Sequence, residues 1–150
     1  MLDKLIFAVP ALLVGIGVAV QGVVNAGLAR GLGSYILAAT ISFCVGTVAL
    51  TAISLATGGI SAALQSARDL PVGWWVAGGL LGAAYVVTIT FIVPKIGIGA
   101  AMAFIITGQL FAAALLDHFG ALGLPEQPLS LMRVVGVLLL LAGALLVRFF

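Results

Sequence analysis

LIFAVPALLVGIGVAVQGVVNAGL, residues 5–28, carries no Asp, Glu, Lys or Arg. It is longer than the roughly 20 mostly apolar residues a helix needs to cross a bilayer core. Four more apolar runs follow, at 35–56, 72–93, 96–116 and 130–148. Their separators are Arg30-Gly31-Leu32-Gly33-Ser34, Thr57-Gly58-Gly59, Pro94-Lys95, and the stretch Phe119 to Gln127 with its Gly120, Gly123 and Pro125. A barrel strand is only about 10 residues long and alternates in polarity, which these runs do not. Backbone groups inside hydrocarbon must be satisfied within their own segment, so the runs are expected to be helices. The expected fold is all-α and integral to the membrane: one transmembrane domain over residues 1–150 with five spans.

The bulk composition agrees. Hydrophobic residues make up 64% of the chain and charged residues 7%, against about 25% charged in an ordinary soluble domain. Ten ionisable acids and bases cannot cover the surface of a soluble protein of 150 residues. The net charge of +2 comes from scattered positions and forms no basic cluster, so nucleic-acid binding has no electrostatic footprint. A single cysteine, Cys44, excludes an intrachain disulfide. Met1 to Gly22 reads as a retained first span, because its apolar run exceeds the roughly 7–15 residues of a signal-peptide core. The polar patch Ser61 to Asp69 is read as a short interfacial segment before Pro71.

With five spans the termini lie on opposite sides. Lys4, Arg68 and Arg133 then fall on one side, and Arg30, Lys95 and Arg148 on the other. Lys and Arg normally fix orientation by staying cytoplasmic; here the bias is zero, so the chain is expected either to insert both ways round, as a dual-topology protein, or to be oriented by a partner. Two inverted copies would form a ten-helix bundle about an axis in the membrane plane, as many transporters achieve within one chain. An antiparallel homodimer is therefore expected. In the last run Gly136 and Gly143 are seven residues apart, nearly on one helical face, and small residues allow helices to approach closely. They are the candidate dimer contact.

No nucleophile, base and orienting group occur together, so no enzyme is expected, and no metal site or cofactor. Gln21 and Asn25, four apart, share a helical face. An unsatisfied amide in hydrocarbon costs about several kcal/mol, so each must meet a neighbouring helix, water or a solute. Thr and Ser can bond back to their own helix and reveal less. The candidate cavity-lining residues are Gln21, Asn25, Ser42, Trp75, Tyr85 and Gln109. No span carries an ionisable acid or base at mid-membrane, the usual mark of an ion pathway; carboxamides, with donors and acceptors both, suit a neutral or zwitterionic polar solute. Asp117 and His118, at a membrane edge, are the candidates for coupling. Pro10, Pro94 and Gly97 are candidate hinges. The alternative is a non-transporting assembly or accessory subunit whose amides only lock helices together.

Four segments, QGVVNAGLARGLGSYILAATISFCVGTVAL (21–50), WWVAGGLLGAAYV (74–86), GQLFAAALLDHFGALGLP (108–125) and RVVGVLLLLAGALLV (133–147), resemble the YdcZ-type family of the drug/metabolite transporter superfamily over nearly the whole chain. The resemblance rests on the Gln-x-x-x-Asn pair, Ser-Phe-x-x-Gly at 42–46, Gly108-Gln109 and Asp-His-Phe-Gly at 117–120. It implies a multi-pass protein of the bacterial inner membrane and transport of a small-molecule substrate by alternating access. It also implies a five-helix unit that works as a pair, either as two chains or as a fused ten-helix protein; the partner expected for this chain is an inverted copy of itself or a paralogous partner chain. The last run further resembles the dimerisation helix of the small multidrug resistance relatives. Those carry a membrane-embedded glutamate on their first helix, where this chain has Gln21 and Asn25.

Overall fold

The computed structural model describes residues 6–58, 60, 63, 67 and 70–150. Lys4, Asp3, Arg68 and Asp69 lie outside the described residues, as does most of the polar patch 61–69. Among those described there are five helices of membrane-crossing length and composition: α1 (Ala8–Leu32), α2 (Tyr35–Ala56), α3 (Val72–Ile96), α4 (Ile98–His118) and α5 (Leu131–Phe149). A single 3-10 turn, Ala121–Gly123, lies between α4 and α5. No strand occurs among the described residues.

The helix ends have local causes. Pro10 sits in the first turn of α1, where its missing N–H has no intrahelical acceptor to lose. Helix α1 runs on through Arg30 and Gly31, which the sequence had suggested as its limit, and stops at Gly33, whose left-handed backbone (φ 66°) ends a helix at little cost only in glycine. Ser34 then caps α2, its Oγ accepting from Leu37 N at 3.1 Å. Pro94 does not end α3, which continues to Ile96. A proline ring opposes the turn before it and leaves the residues after it free to stay helical. The break falls at Gly97, with φ 81° and ψ 159°, a region essentially reserved for glycine. Ser130 caps α5 by accepting from Arg133 N at 3.3 Å.

The chain forms two compact units, residues 1–91 and 92–150. In the first, α1 packs on α2, and the buried residues there are small: Gly22, Asn25 and Ala26 on α1, Ala38 and Ala39 on α2. Small side chains spaced one turn apart let two helices approach closely where no hydrophobic effect drives them together. Helix α3 meets α2 through the Phe43 ring, which lies 3.3 Å from where a Cβ on Gly82 would be. The Tyr35 and Phe91 rings form a second contact, 5.2 Å between centroids. In the second unit α4 packs on α5, with Gly99 admitting Val147 to within 3.5 Å of a Cβ position. Ala100, Ala101 and Ala144 are its buried small residues. Leucines, valines and isoleucines are mostly turned outward on α1, α2 and α5, an arrangement that suits lipid as the solvent.

Candidate functional site

Two carboxamides from α1 converge on one hydroxyl of α2. Gln21 Nε2 lies 3.5 Å from Ser42 Oγ, and Asn25 Nδ2 lies 3.4 Å from the same atom. Positions 21 and 25 are one turn apart, so both amides leave α1 on one face, and Ser42 stands opposite them. Both distances are long for hydrogen bonds of this type, whose usual range ends near 3.2 Å. Asn25 is only 4% exposed, whereas Gln21 remains open. Every buried side-chain nitrogen or oxygen among the described residues has a partner. Asn25 Oδ1 makes no bond within them, so it keeps accessible surface.

Three threonines of the spans behave differently. Thr40 Oγ1 donates to Ile36 O at 3.0 Å, Thr90 to Val86 O at 2.7 Å and Thr107 to Ala103 O at 2.8 Å. Each satisfies itself on its own helix, four residues back, and offers no donor to a neighbour. Ser42 is the one intramembrane hydroxyl whose bonds among the described residues join two helices.

Tyr85 belongs to the same unit. The Phe43–Gly82 and Tyr35–Phe91 contacts fix α2 and α3 antiparallel, and interpolating between them puts Tyr85 within about one helical turn of the level of Ser42. Its side chain is half-buried. Trp75, in the first turn of α3, is 57% exposed. Gln109 lies on α4 in the second unit and is exposed. The first unit thus brings three of the six candidate residues into contact and holds a fourth at their depth.

Asp117 and His118 occupy the last turn of α4 and organise the connection to α5. Gln127 N donates to Asp117 O at 2.7 Å, and Gly120 N to the same oxygen at 3.3 Å. His118 Nδ1 accepts from Leu129 N at 3.2 Å. Arg133 closes the cluster, with Nη1 3.5 Å from Asp117 Oδ2 and 3.4 Å from Gln127 O, while Nη2 donates to Gln127 Oε1. Sequence reasoning treated Arg133 only as a topology marker and gave Gln127 no role. Its signal was the Ser130-x-x-Arg133 start of the last helix beside a conspicuous acid at the end of the fourth.

Below that cluster a groove of about 270 Å³ opens between α4 and α5, walled by Leu110, Ala113, Val137 and Leu140, with Asp117 and Arg133 at its mouth. Gly136 lines it. Neither Gly136 nor Gly143 has any atom within 4 Å of where a Cβ would stand, so neither serves a close approach inside the chain.

Residues 6–146 match one family model, DMT_YdcZ, described as "Putative inner membrane exporter, YdcZ". No curated protein matches the chain, and no solved structure does.

Proposed function

The chain belongs to the YdcZ family of multi-pass inner-membrane proteins, a family described in terms of export, and on that premise we propose that it carries a neutral or zwitterionic polar metabolite past the Gln21–Asn25–Ser42 cluster. The observation that carries this reading is the pair of long amide-to-hydroxyl contacts, 3.5 and 3.4 Å. Amides that only glue helices are expected to make short, closed bonds. These are long, and one of the two residues is exposed. Both can be exchanged for bonds to a solute at small cost, since interhelical hydrogen bonds in membranes average only about 0.6 kcal/mol. Tyr85, at the same depth, and Trp75 are proposed to complete the polar lining in this unit, and Gln109 is proposed as a solute-facing amide of the second unit.

The mechanism proposed is alternating access in an inverted dimer, in which each protomer takes in turn the inward- and outward-facing shape. Helix α5 is the proposed contact. Gly136 lies four residues before and Gly143 three residues after Leu140, the middle of Leu131–Phe149, so an antiparallel pair of these helices crossing near its middle sets Gly136 of one copy against Gly143 of the other. Both positions are open within the chain, which supports a partner from outside it. Asp117 and His118 are the proposed coupling groups, being titratable groups tied to the α4–α5 connection.

A second reading is favoured by one observation. Asn25 is almost fully buried and bonded across to α2, as expected if the amides lock an assembly or accessory subunit. Replacing Gln21 and Gln109 by Leu separates the two. In reconstituted vesicles, an assembled dimer without solute flux supports the site. Unchanged flux sinks it, and loss of assembly with no flux in the parent protein supports the subunit.

A further inference from the structure

We infer that the Gln21–Asn25–Ser42 cluster presents acceptors and selects solutes bearing N–H or O–H donors over carboxylates, with Ser42 as the residue that sets this polarity. The inference rests on the reading of the cluster as a solute site and names the chemistry that site takes.

A carboxamide has two faces, an NH2 with two donors and a carbonyl oxygen with two acceptor lone pairs. Both amides turn the nitrogen toward Ser42 Oγ, Gln21 through Nε2 and Asn25 through Nδ2. Because the group is planar, with nitrogen and oxygen on opposite branches, turning the nitrogen to α2 directs the carbonyl oxygen away from it. Asn25 shows the consequence most clearly. Only 4% of the residue is exposed, yet Oδ1 makes no bond among the described residues and is not enclosed. What little of Asn25 a solute can reach includes an acceptor.

Two other donors nearby are spent or turned elsewhere. Thr40, two residues before Ser42, spends its hydroxyl proton on Ile36 O at 3.0 Å. Arg30 folds back so that Nη2 lies 3.9 Å from a Cβ position on Gly27, and Gly27 is about 200° round the helix from Asn25. A carboxylate entering here would meet a carbonyl oxygen beside the one N–H that each amide has left after its bond to Ser42, so half of each free amide edge opposes it, and no cation stands on this face of α1. In a medium of low dielectric such a meeting is penalised far more than in water. A primary amide, an amine or a polyol would instead give its protons to Gln21 Oε1 and Asn25 Oδ1. Removing the Ser42 hydroxyl releases both NH2 groups, and an amide free to turn offers donors and acceptors alike.

The test uses the purified full chain in lipid nanodiscs and reads thermal shift against matched pairs: nicotinamide with nicotinate, and propionamide with propionate. The expected result is stabilisation by the amides and none by the carboxylates. In Ser42→Ala the preference should fall by about tenfold or more, equivalent to roughly 1.4 kcal/mol, while Ser42→Thr, which keeps the hydroxyl, should retain it. If Ser42→Ala does not fold, Asn25→Ser at the opposite side of the contact, which removes one carbonyl acceptor, should weaken amide binding without helping the carboxylates. Equal stabilisation by amides and carboxylates, or a Ser42→Ala protein with the parent preference, overturns the polarity and leaves the solute site standing. A parent protein stabilised by no member of either pair overturns both.

Discussion

Asn25 Nδ2 on α1 and Ser42 Oγ on α2 face each other at 3.4 Å across a seam of glycine and alanine. They hold together two helices that have little else polar to share. The close approach that Gly22, Ala26, Ala38 and Ala39 permit is what brings a short asparagine within reach of a serine.

Ser42→Ala should therefore destabilise the chain by about 1–3 kcal/mol, because it strands a buried amide. The double variant Asn25→Leu/Ser42→Ala should recover part of that loss, since apolar replacement of both partners is nearly neutral. Unfolding of the single and double variants in mixed detergent measures the difference. A double variant weaker than either single one would show that the pair is not coupled in this way.

Much of this was legible in the sequence, for a physical reason. Membrane-spanning helices are set by length and apolarity, which a sequence states outright, so five helices were expected, and five long and apolar enough to cross a membrane occur among the described residues. The errors at their ends came from treating polar or helix-breaking residues as stops. Arg30 and Pro94 are both inside helices, and the stops are the positive-φ glycines Gly33 and Gly97, whose backbone angles no composition reveals. The amide pair could be read from its spacing. That Ser42, and not Thr40 or Thr47, answers it could not, because a hydroxyl's choice between its own helix and the next depends on how the helices pack. The Asp117–Arg133 cluster was hidden for a similar reason: two of its ties to the loop run to backbone atoms, Gln127 N to Asp117 O and Arg133 Nη1 to Gln127 O.

Gly97 gives a test of backbone conformation alone. Its φ of 81° and ψ of 159° suit no L side chain, yet nothing lies within 4 Å of a Cβ placed there. Gly97→Ala should then cost about 1–3 kcal/mol purely as backbone strain, or else α4 should shift its start. Hydrogen exchange at Ile98 to Ala101 distinguishes a strained from a shifted helix. A variant as stable as the parent, with unchanged protection, would mean that the junction accepts another backbone conformation at no cost.

At the end of α4 the Asp117–Arg133 contact is 3.5 Å long, with side chains 37% and 38% exposed. A half-exposed pair of this kind contributes about 0–1 kcal/mol, and the backbone oxygen of Asp117 keeps its bond to Gln127 N whatever the side chain. Asp117→Asn should leave stability within about 1 kcal/mol of the parent. If Asp117 couples transport to protons, the same variant should abolish flux driven by a pH gradient while exchange of solute down its own gradient persists. Flux by both routes unchanged would remove Asp117 from any coupling role.

The inverted pairing through α5 makes a pattern prediction that a parallel pairing cannot imitate. Gly136 and Gly143 lie four residues before and three after the centre of Leu131–Phe149, so antiparallel helices crossing near that centre set each against the other, whereas parallel helices set each against itself. With the exposed Cys44 replaced by Ser, chains carrying Gly136→Cys and chains carrying Gly143→Cys can be co-expressed or expressed alone. Oxidation should cross-link the mixed pair several-fold more efficiently than either variant with itself. The open space at both glycines leaves room for a thiol without displacing a side chain of its own chain. Efficient cross-linking of each variant with itself, and little between them, would instead place the two chains parallel and with them discard the inverted architecture.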